Sequence, residues 1–203
     1  VRKINKNNTI NVSAGVTFSE NHATKHGGAL YANGENAIIN INGTKEDVVT
    51  FENNYTETLG SMGGGGALFV GGNNTAELNV NNTYFEGNKV LETSTTNYGG
   101  GAIFVDTPAT ATIIDSDFQN NYSGNVGGAI LGNGNIIIKA VHKDVLFSGN
   151  RQNATFTGTT YDAGSGTANA INLVNAGNLT LNTDSTDRTI TFNDSIESTG
   201  GNK

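Results

Sequence analysis

The chain has 203 residues, of which 35% are apolar, 14% are charged and 28 are glycine, room for one large domain or two small ones with a thin core. A formal net charge of −7 with scattered Lys and Arg excludes the basic footprint of a nucleic-acid or anionic-membrane binder, and the absence of cysteine excludes disulfides, thiolate nucleophiles and cysteine zinc sites. No stretch reaches the roughly 20 apolar residues of a bilayer-spanning helix, and the opening VRKINKNN carries neither an initiator Met nor a signal peptide, so the chain reads as a segment of a longer polypeptide.

From the N-terminus, residues 1–17 read as a first coil or cap, NKNNTINV being one cap candidate and the degenerate final coil the other. The strand ending in Val16-Thr17-Phe18 then runs into FSEN, a short corner HATKH, and GGAL at residues 27–30. From here two motifs alternate. FxxN places Phe at 18, 51, 85, 118 and 147, which are 33, 34, 33 and 29 residues apart, and Asn at 21, 54, 88, 121 and 150. Between them stand the glycine pairs Gly27-Gly28, Gly65-Gly66, Gly100-Gly101 and Gly127-Gly128, each followed by Ala and Leu or Ile. Beyond residue 150 the pattern thins. GSGTANAI at 164–171 reads as a degenerate GGA copy, and FNDS at Phe192 as a weak sixth FxxN, so residues 151–203 read as motif-poor final coils.

Each unit runs GGA, apolar strand, Asn/Gly corner, second strand, FxxN, loop. None carries an apolar stripe of period 3.6, and the strands are rich in Val, Ile, Thr, Phe and Tyr. A repeat of this length that cannot bury its own apolar face must stack on copies of itself, with its strands parallel and in register. The expected fold is all-β, a parallel β-helix with about one coil per repeat. Within it Phe points inward and stacks on the next coil's Phe, because it shares a strand face with an aliphatic residue two positions earlier. The Asn at the turn tolerates a left-handed backbone and offers its amide to corner groups or to a ladder along the stack. The glycine pair permits positive φ and close approach of coils.

The repeats differ in two places. From Asn to the second Gly is 7 residues in the first and fourth units but 12 and 13 in the second and third. These long linkers are expected to protrude side by side, with Tyr55, Leu59, Met62, Leu91 and Tyr98 as candidate contacts, or else they reflect neutral drift. After GGA, the pairs Leu30-Tyr31, Leu68-Phe69, Ile103-Phe104 and Ile130-Leu131 leave the register open. Either Tyr31, Phe69, Phe104 and Leu131 form an exposed stripe, or they are core.

Catalytic and metal patterns are weak. His22 and His26 have i, i+4 spacing but lie in a corner and lack the Glu of a metalloprotease helix. Asp115 and Asp117 share a strand face, as a glycan-cleaving pair would, yet Asp115 aligns with Asn82 as a corner residue. Asp184, Asp187 and Asp194 form no calcium-loop motif, and Ser165 lacks a nucleophile elbow. The expectation is no enzyme, no cofactor and no metal.

The alternation of FxxN with GGA(I/L) over residues 18–150 resembles the repeat of chlamydial polymorphic membrane proteins and related autotransporter passengers. That resemblance implies a right-handed β-helix passenger on the surface of a Gram-negative bacterium, exported through a C-terminal β-barrel that this chain does not include. It implies an adhesin toward a host or neighbouring-cell surface protein or glycan. It also implies adhesive roles for the Phe and Asn of each FxxN and for the glycine pairs. A structural stalk and, less favoured, a polysaccharide-active β-helix are the alternatives. The open ends of such a solenoid predict self-association.

Overall fold

A computed structural model describes residues 2–57, 63–71, 75–93, 99–184 and 186–199. Among them every regular element is a strand, and the strands recur in a fixed order through six successive coils. The face that follows each glycine pair stacks Arg2–Ile4, Leu30–Ala32, Leu68–Val70, Ile103–Val105, Ile130–Gly132 and Thr167–Val174. A second face stacks Thr9–Ser13, Ile38–Asn42, Glu77–Asn81, Thr110–Ile114, Asn135–Ala140 and Asn178–Thr183. The third, which carries the FxxN phenylalanines, stacks Thr17–Ser19, Val49–Glu52, Thr83–Glu86, Asp117–Gln119, Val145–Ser148 and Ile190–Phe192. Pairing along all three stacks is parallel, so the architecture is the expected parallel β-helix. Two-residue corner strands follow each FxxN: His22–Ala23, Tyr55–Thr56, Lys89–Val90, Tyr122–Ser123 and Arg151–Gln152.

Register follows from alternation. A strand in a closed coil sends every second side chain into the lumen, and a slip of one residue would expel the whole apolar set. Leu30, Leu68, Ile103 and Ile130 fill the lumen from the first face, Ile39, Ile41, Leu78, Val80, Ile113, Ile136 and Ile138 from the second. From the third, Phe18, Phe51, Phe85, Phe118, Phe147 and Phe192 form one column with ring centroids 4.6–5.1 Å apart and interplanar angles of 5–19°. Parallel strands lie about 4.8 Å apart, so the coil pitch itself sets the ring spacing, and the four central rings are fully buried.

The final coil departs from the repeat. After Arg151–Gln152 the chain makes a small antiparallel hairpin, Phe156–Thr157 with Thr160–Tyr161, before re-entering the first face. Asn169, Ala170 and Ile171 then take the register of Gly128, Ala129 and Ile130, as the degenerate GGA copy predicts. Ser195–Thr199 pairs on the far side of Thr167–Val174. At the opposite end the lumen is open, a recess of about 610 Å³ that includes Ile10, Val12, Val16, Phe18 and Leu30 in its wall.

Candidate functional site

The site is built outward from FxxN. In each coil the residue two after Phe, not the Asn, takes the left-handed backbone: Glu20, Asn53, Gly87, Asn120 and Gly149, with φ of 53–73°. This corrects the expectation that the motif Asn makes the turn. The turn frees the Asn to point inward, where Asn54, Asn88, Asn121 and Asn150 are completely buried. Their amides form a directional ladder. Each Nδ2 donates to the Phe carbonyl of the preceding coil (Asn88 to Phe51, 2.9 Å) and to the Oδ1 of the next Asn (Asn88 to Asn121, 3.0 Å). Each Oδ1 also accepts the backbone N–H of the preceding Asn, as Asn54 N–H donates to Asn88 at 3.1 Å. The ladder starts at Asn21, which donates to Asn54 Oδ1, and it ends at Asp194, whose carboxylate accepts from Asn150 Nδ2 at 2.8 Å and from the N–H groups of Gly149 and Asn150. The last member need only accept, which a carboxylate does. Asp194 stands one residue early in FNDS, so the motif spacing hides its role.

The two glycines of each pair are needed for different reasons. Gly65 has φ of 68°, and a Cβ there would meet the Leu68 carbonyl; a Cβ on Gly66 would lie 2.1 Å from the Gly101 carbonyl of the next coil and 2.5 Å from Lys89 N. Gly27, Gly28, Gly100, Gly101, Gly127 and Gly128 repeat the arrangement. The phenylalanines, asparagines and glycine pairs named as binding candidates are thus interior or backbone-packed, Phe18 and Asn21 of the first coil being the partly exposed members.

The aliphatic residue after GGA turns inward, which sends Tyr31, Phe69 and Phe104 out of the lumen. They do not form an exposed stripe. Phe69 and Phe104 are 3% and 2% exposed and, with Leu131 and Val174, make a second apolar cluster edged by Tyr31 and Val126. The cause is the return of each corner to its glycine pair: His26, Gly64, Gly99 and Val126 bridge one another in a parallel row beside this face. His26 packs its ring 4.9 Å from Tyr31 and 4.5 Å from Phe69. Its Nδ1 is buried without a hydrogen-bond partner, and burial, aided by Lys25 and Lys3, lowers its pKa to about 4.

Of the linker candidates, Tyr55 and Leu91 are half-buried, while Leu59, Met62 and Tyr98 lie outside the described residues. The anchor points of the two long linkers are fixed. Tyr55–Thr56 pairs with Lys89–Val90 where they leave, and Gly64 bridges Gly99 where they return.

The residue directly after each FxxN faces outward: His22, Tyr55, Lys89, Tyr122 and Arg151, in register from coil to coil. His22 stacks on Tyr55, and Tyr122 stacks on Tyr161 of the hairpin. Lys89, its pKa lowered by burial, donates to the Thr159 carbonyl at the hairpin tip. This row was legible in FSENH, FENNY, FEGNK, FQNNY and FSGNR as a large residue at a constant offset; the hairpin carried no such signal.

The catalytic candidates are occupied structurally. Asp115, at φ of 50° like Asn82 at 44°, is a buried corner residue. Burial alone would raise its pKa. Hydrogen bonds from the Val141, His142 and Lys143 N–H groups and the His142 ring outweigh that and hold it below the ordinary carboxylate value. Asp117 pairs with Lys143 at 2.7 Å and accepts the Leu146 N–H. Among the described residues no group of three His, Cys, Asp or Glu is placed to hold a metal, and Ser165 bonds only with its own hairpin segment.

Comparison with known proteins follows the same repeats. The model of the Chlamydia polymorphic membrane protein repeat matches residues 15–33 and 82–106. A protein of Chlamydia pneumoniae described as "Probable outer membrane protein pmp7" is 32% identical over 189 residues, covering 91% of this chain and 18% of its own length. No solved structure matches. The matched segments contain FSEN with the first GGAL and FEGN with GGAI, the coil-forming motifs whose stacking is described above. The chain is thus similar to Chlamydia polymorphic membrane proteins, carrying their repeat at residues 15–33 and 82–106.

Proposed function

We propose that this chain is part of the surface-exposed passenger of an outer-membrane autotransporter. In this reading it acts as an adhesin toward a host or neighbouring-cell surface protein or glycan, without catalysis. The observation that carries it is the placement of the two long linkers. They leave from paired corner strands and return to bridged glycines, so their roots are neighbours on one edge of the solenoid. Insertions confined to one edge of a repeat protein form a continuous surface that a partner can span. The outer-membrane description of the 32% identical relative supports the location. Carboxylates already held by their own or adjacent coils argue against a hydrolase. The second reading, a stalk, is favoured by the unbroken Phe column.

Adherence of the purified chain to cultured epithelial cells and to bacterial cells is the test. Deleting residues 58–62 and 94–98 should abolish adherence while leaving the melting temperature within a few degrees. Adherence retained after both deletions, or absent in the intact chain, would sink the adhesin reading and leave the stalk. Release of oligosaccharide product from an acidic glycan, lost in Asp115→Asn, would establish the enzyme instead.

A further inference from the structure

The outward row after FxxN has a gap in it. Parallel pairing spaces successive side chains by about 4.8 Å, the distance at which rings stack. Rings do stack near both ends: His22 on Tyr55 at 4.6 Å and 18°, Tyr122 on Tyr161 at 3.9 Å and 11°. The third position holds no ring. Lys89 stands there, its Nζ drawn 3.1 Å from the Thr159 carbonyl as the hairpin folds back over two coils. A recess of about 530 Å³ remains between hairpin and corner, lined by Glu20, Asn53, Tyr55, Lys89 and Thr159.

One wall residue is out of place as a turn former. Of the described non-glycine residues with positive φ, Glu20 alone is neither Asn nor Asp. Glu has no local hydrogen bond to offset the left-handed backbone, so its presence there points to a use for the carboxylate. Asn53, the equivalent residue one coil on, has the same backbone, and Gly87 leaves room for its amide, since a Cβ at Gly87 would lie 2.6 Å from Asn53 Oδ1. Both turns are held by backbone bonds to the next coil, Glu20 N–H to Glu52 and Asn53 N–H to Glu86, each 3.0 Å.

We propose that this recess binds a neutral pyranose, one or two residues of a cell-surface glycan; that the glycan is on a cell rests on the adhesin reading above. The volume lies within the range of small-ligand sites, roughly 300–1,000 Å³. A sugar hydroxyl both gives and takes hydrogen bonds. The wall answers both ways: Glu20 and the Thr159 carbonyl accept, Lys89 donates and Asn53 does either. Tyr55, braced by His22, supplies a flat apolar surface for the C–H face of a pyranose, the spacing at the gap being that of one stacked ring. Charge selects against acidic sugars. The wall sets the Glu20 carboxylate against the one ammonium of Lys89, leaving no unopposed cation for an anion, on a chain of net charge −7, which disfavours sialylated or sulfated ligands.

The test is saturation-transfer NMR on the whole chain. N-acetyllactosamine, maltotriose and chitotriose serve as neutral probes and 3′-sialyllactose as the acidic control. Transfer from tyrosine protons to at least one neutral probe is expected, with sialyllactose weaker. Tyr55→Ala should weaken binding about tenfold or more. Glu20→Asn, which suits the left-handed turn, should weaken it at an unchanged or higher melting temperature. No transfer to any neutral probe, equal binding of sialyllactose, or binding indifferent to both substitutions would each overturn the assignment. Cell adherence that persists while all sugars fail would sink the glycan site but keep the adhesin. Sugar binding without adherence to any cell would sink the adhesin and keep the site.

Discussion

Single residues in a β-helix have consequences set by their place in a column. Phe85 is fully buried between Phe51 and Phe118, so Phe85→Ala should cost about 3–5 kcal/mol, measured by urea unfolding. An intact melting temperature would mean that Phe85 is a surface contact. The amide ladder makes a sharper prediction because it has a direction. In Asn88→Asp the carboxylate cannot donate to the Phe51 carbonyl or Asn121 Oδ1, and about 1–3 kcal/mol should be lost for each buried group left unpaired. Asp194→Asn keeps one oxygen for the Asn150 N–H and Nδ2 and leaves the Gly149 N–H without its acceptor, one group lost against two, so it should be milder by about half; equal losses would refute the polarity of the ladder. His26 adds a pH dependence. Its folded pKa of about 4 lies below the ordinary 6.5, so between those values the unfolded chain binds more protons. Stability is full above about pH 6.5 and falls as pH drops toward 4, by on the order of 1–2 kcal/mol after discounting for the ring's partial exposure. Thermal melts of His26→Phe should lack this slope. Asp115, held below its ordinary value, acts at lower pH, its contribution present above the usual carboxylate range and lost beneath it.

At the scale of elements, the two glycines, the Phe and the Asn each solve one local problem, and they were readable because the problem recurs in every coil. Phe inward and glycines at close approach followed from the motif and its flanking strand, and the amide ladder was one of the two uses left open for the Asn. The turn was misassigned by one residue, because Glu20, Asn53, Gly87, Asn120 and Gly149 share a backbone shape and not a side chain. Likewise alternation left two registers for Leu68-Phe69. The lumen chose the aliphatic residue, and the corner return, marked by His26 and Val126, buried the aromatic against a second surface. Asp194 and the hairpin at 156–161 lie beyond the regular repeat, where no column of equivalent residues announces a role.

The whole molecule is a stack in which each coil's strands pair with those of its neighbours while the hairpin reaches back to Lys89, and its ends differ. The ladder is closed by Asp194 at one end; at the other the lumen is open over Phe18, and the first-coil strands are the edge strands of their sheets among the described residues. The isolated chain is therefore expected to self-associate through the N-terminal end. Sedimentation velocity should show a concentration-dependent shift that Val12→Lys, inside the open rim, removes. A chain that stays monomeric at high concentration would show that this rim is sealed without a partner.

By itself the sequence determined the architecture, because a motif repeated every 29–34 residues can bury its apolar face only against copies of itself, and this fixes coil, column and lumen together. Only the tertiary structure decided the outer surface. Which aromatics are covered, where the ladder stops, and how Lys89 meets the hairpin 70 residues on depend on contacts made once. A contact made once leaves no period to read.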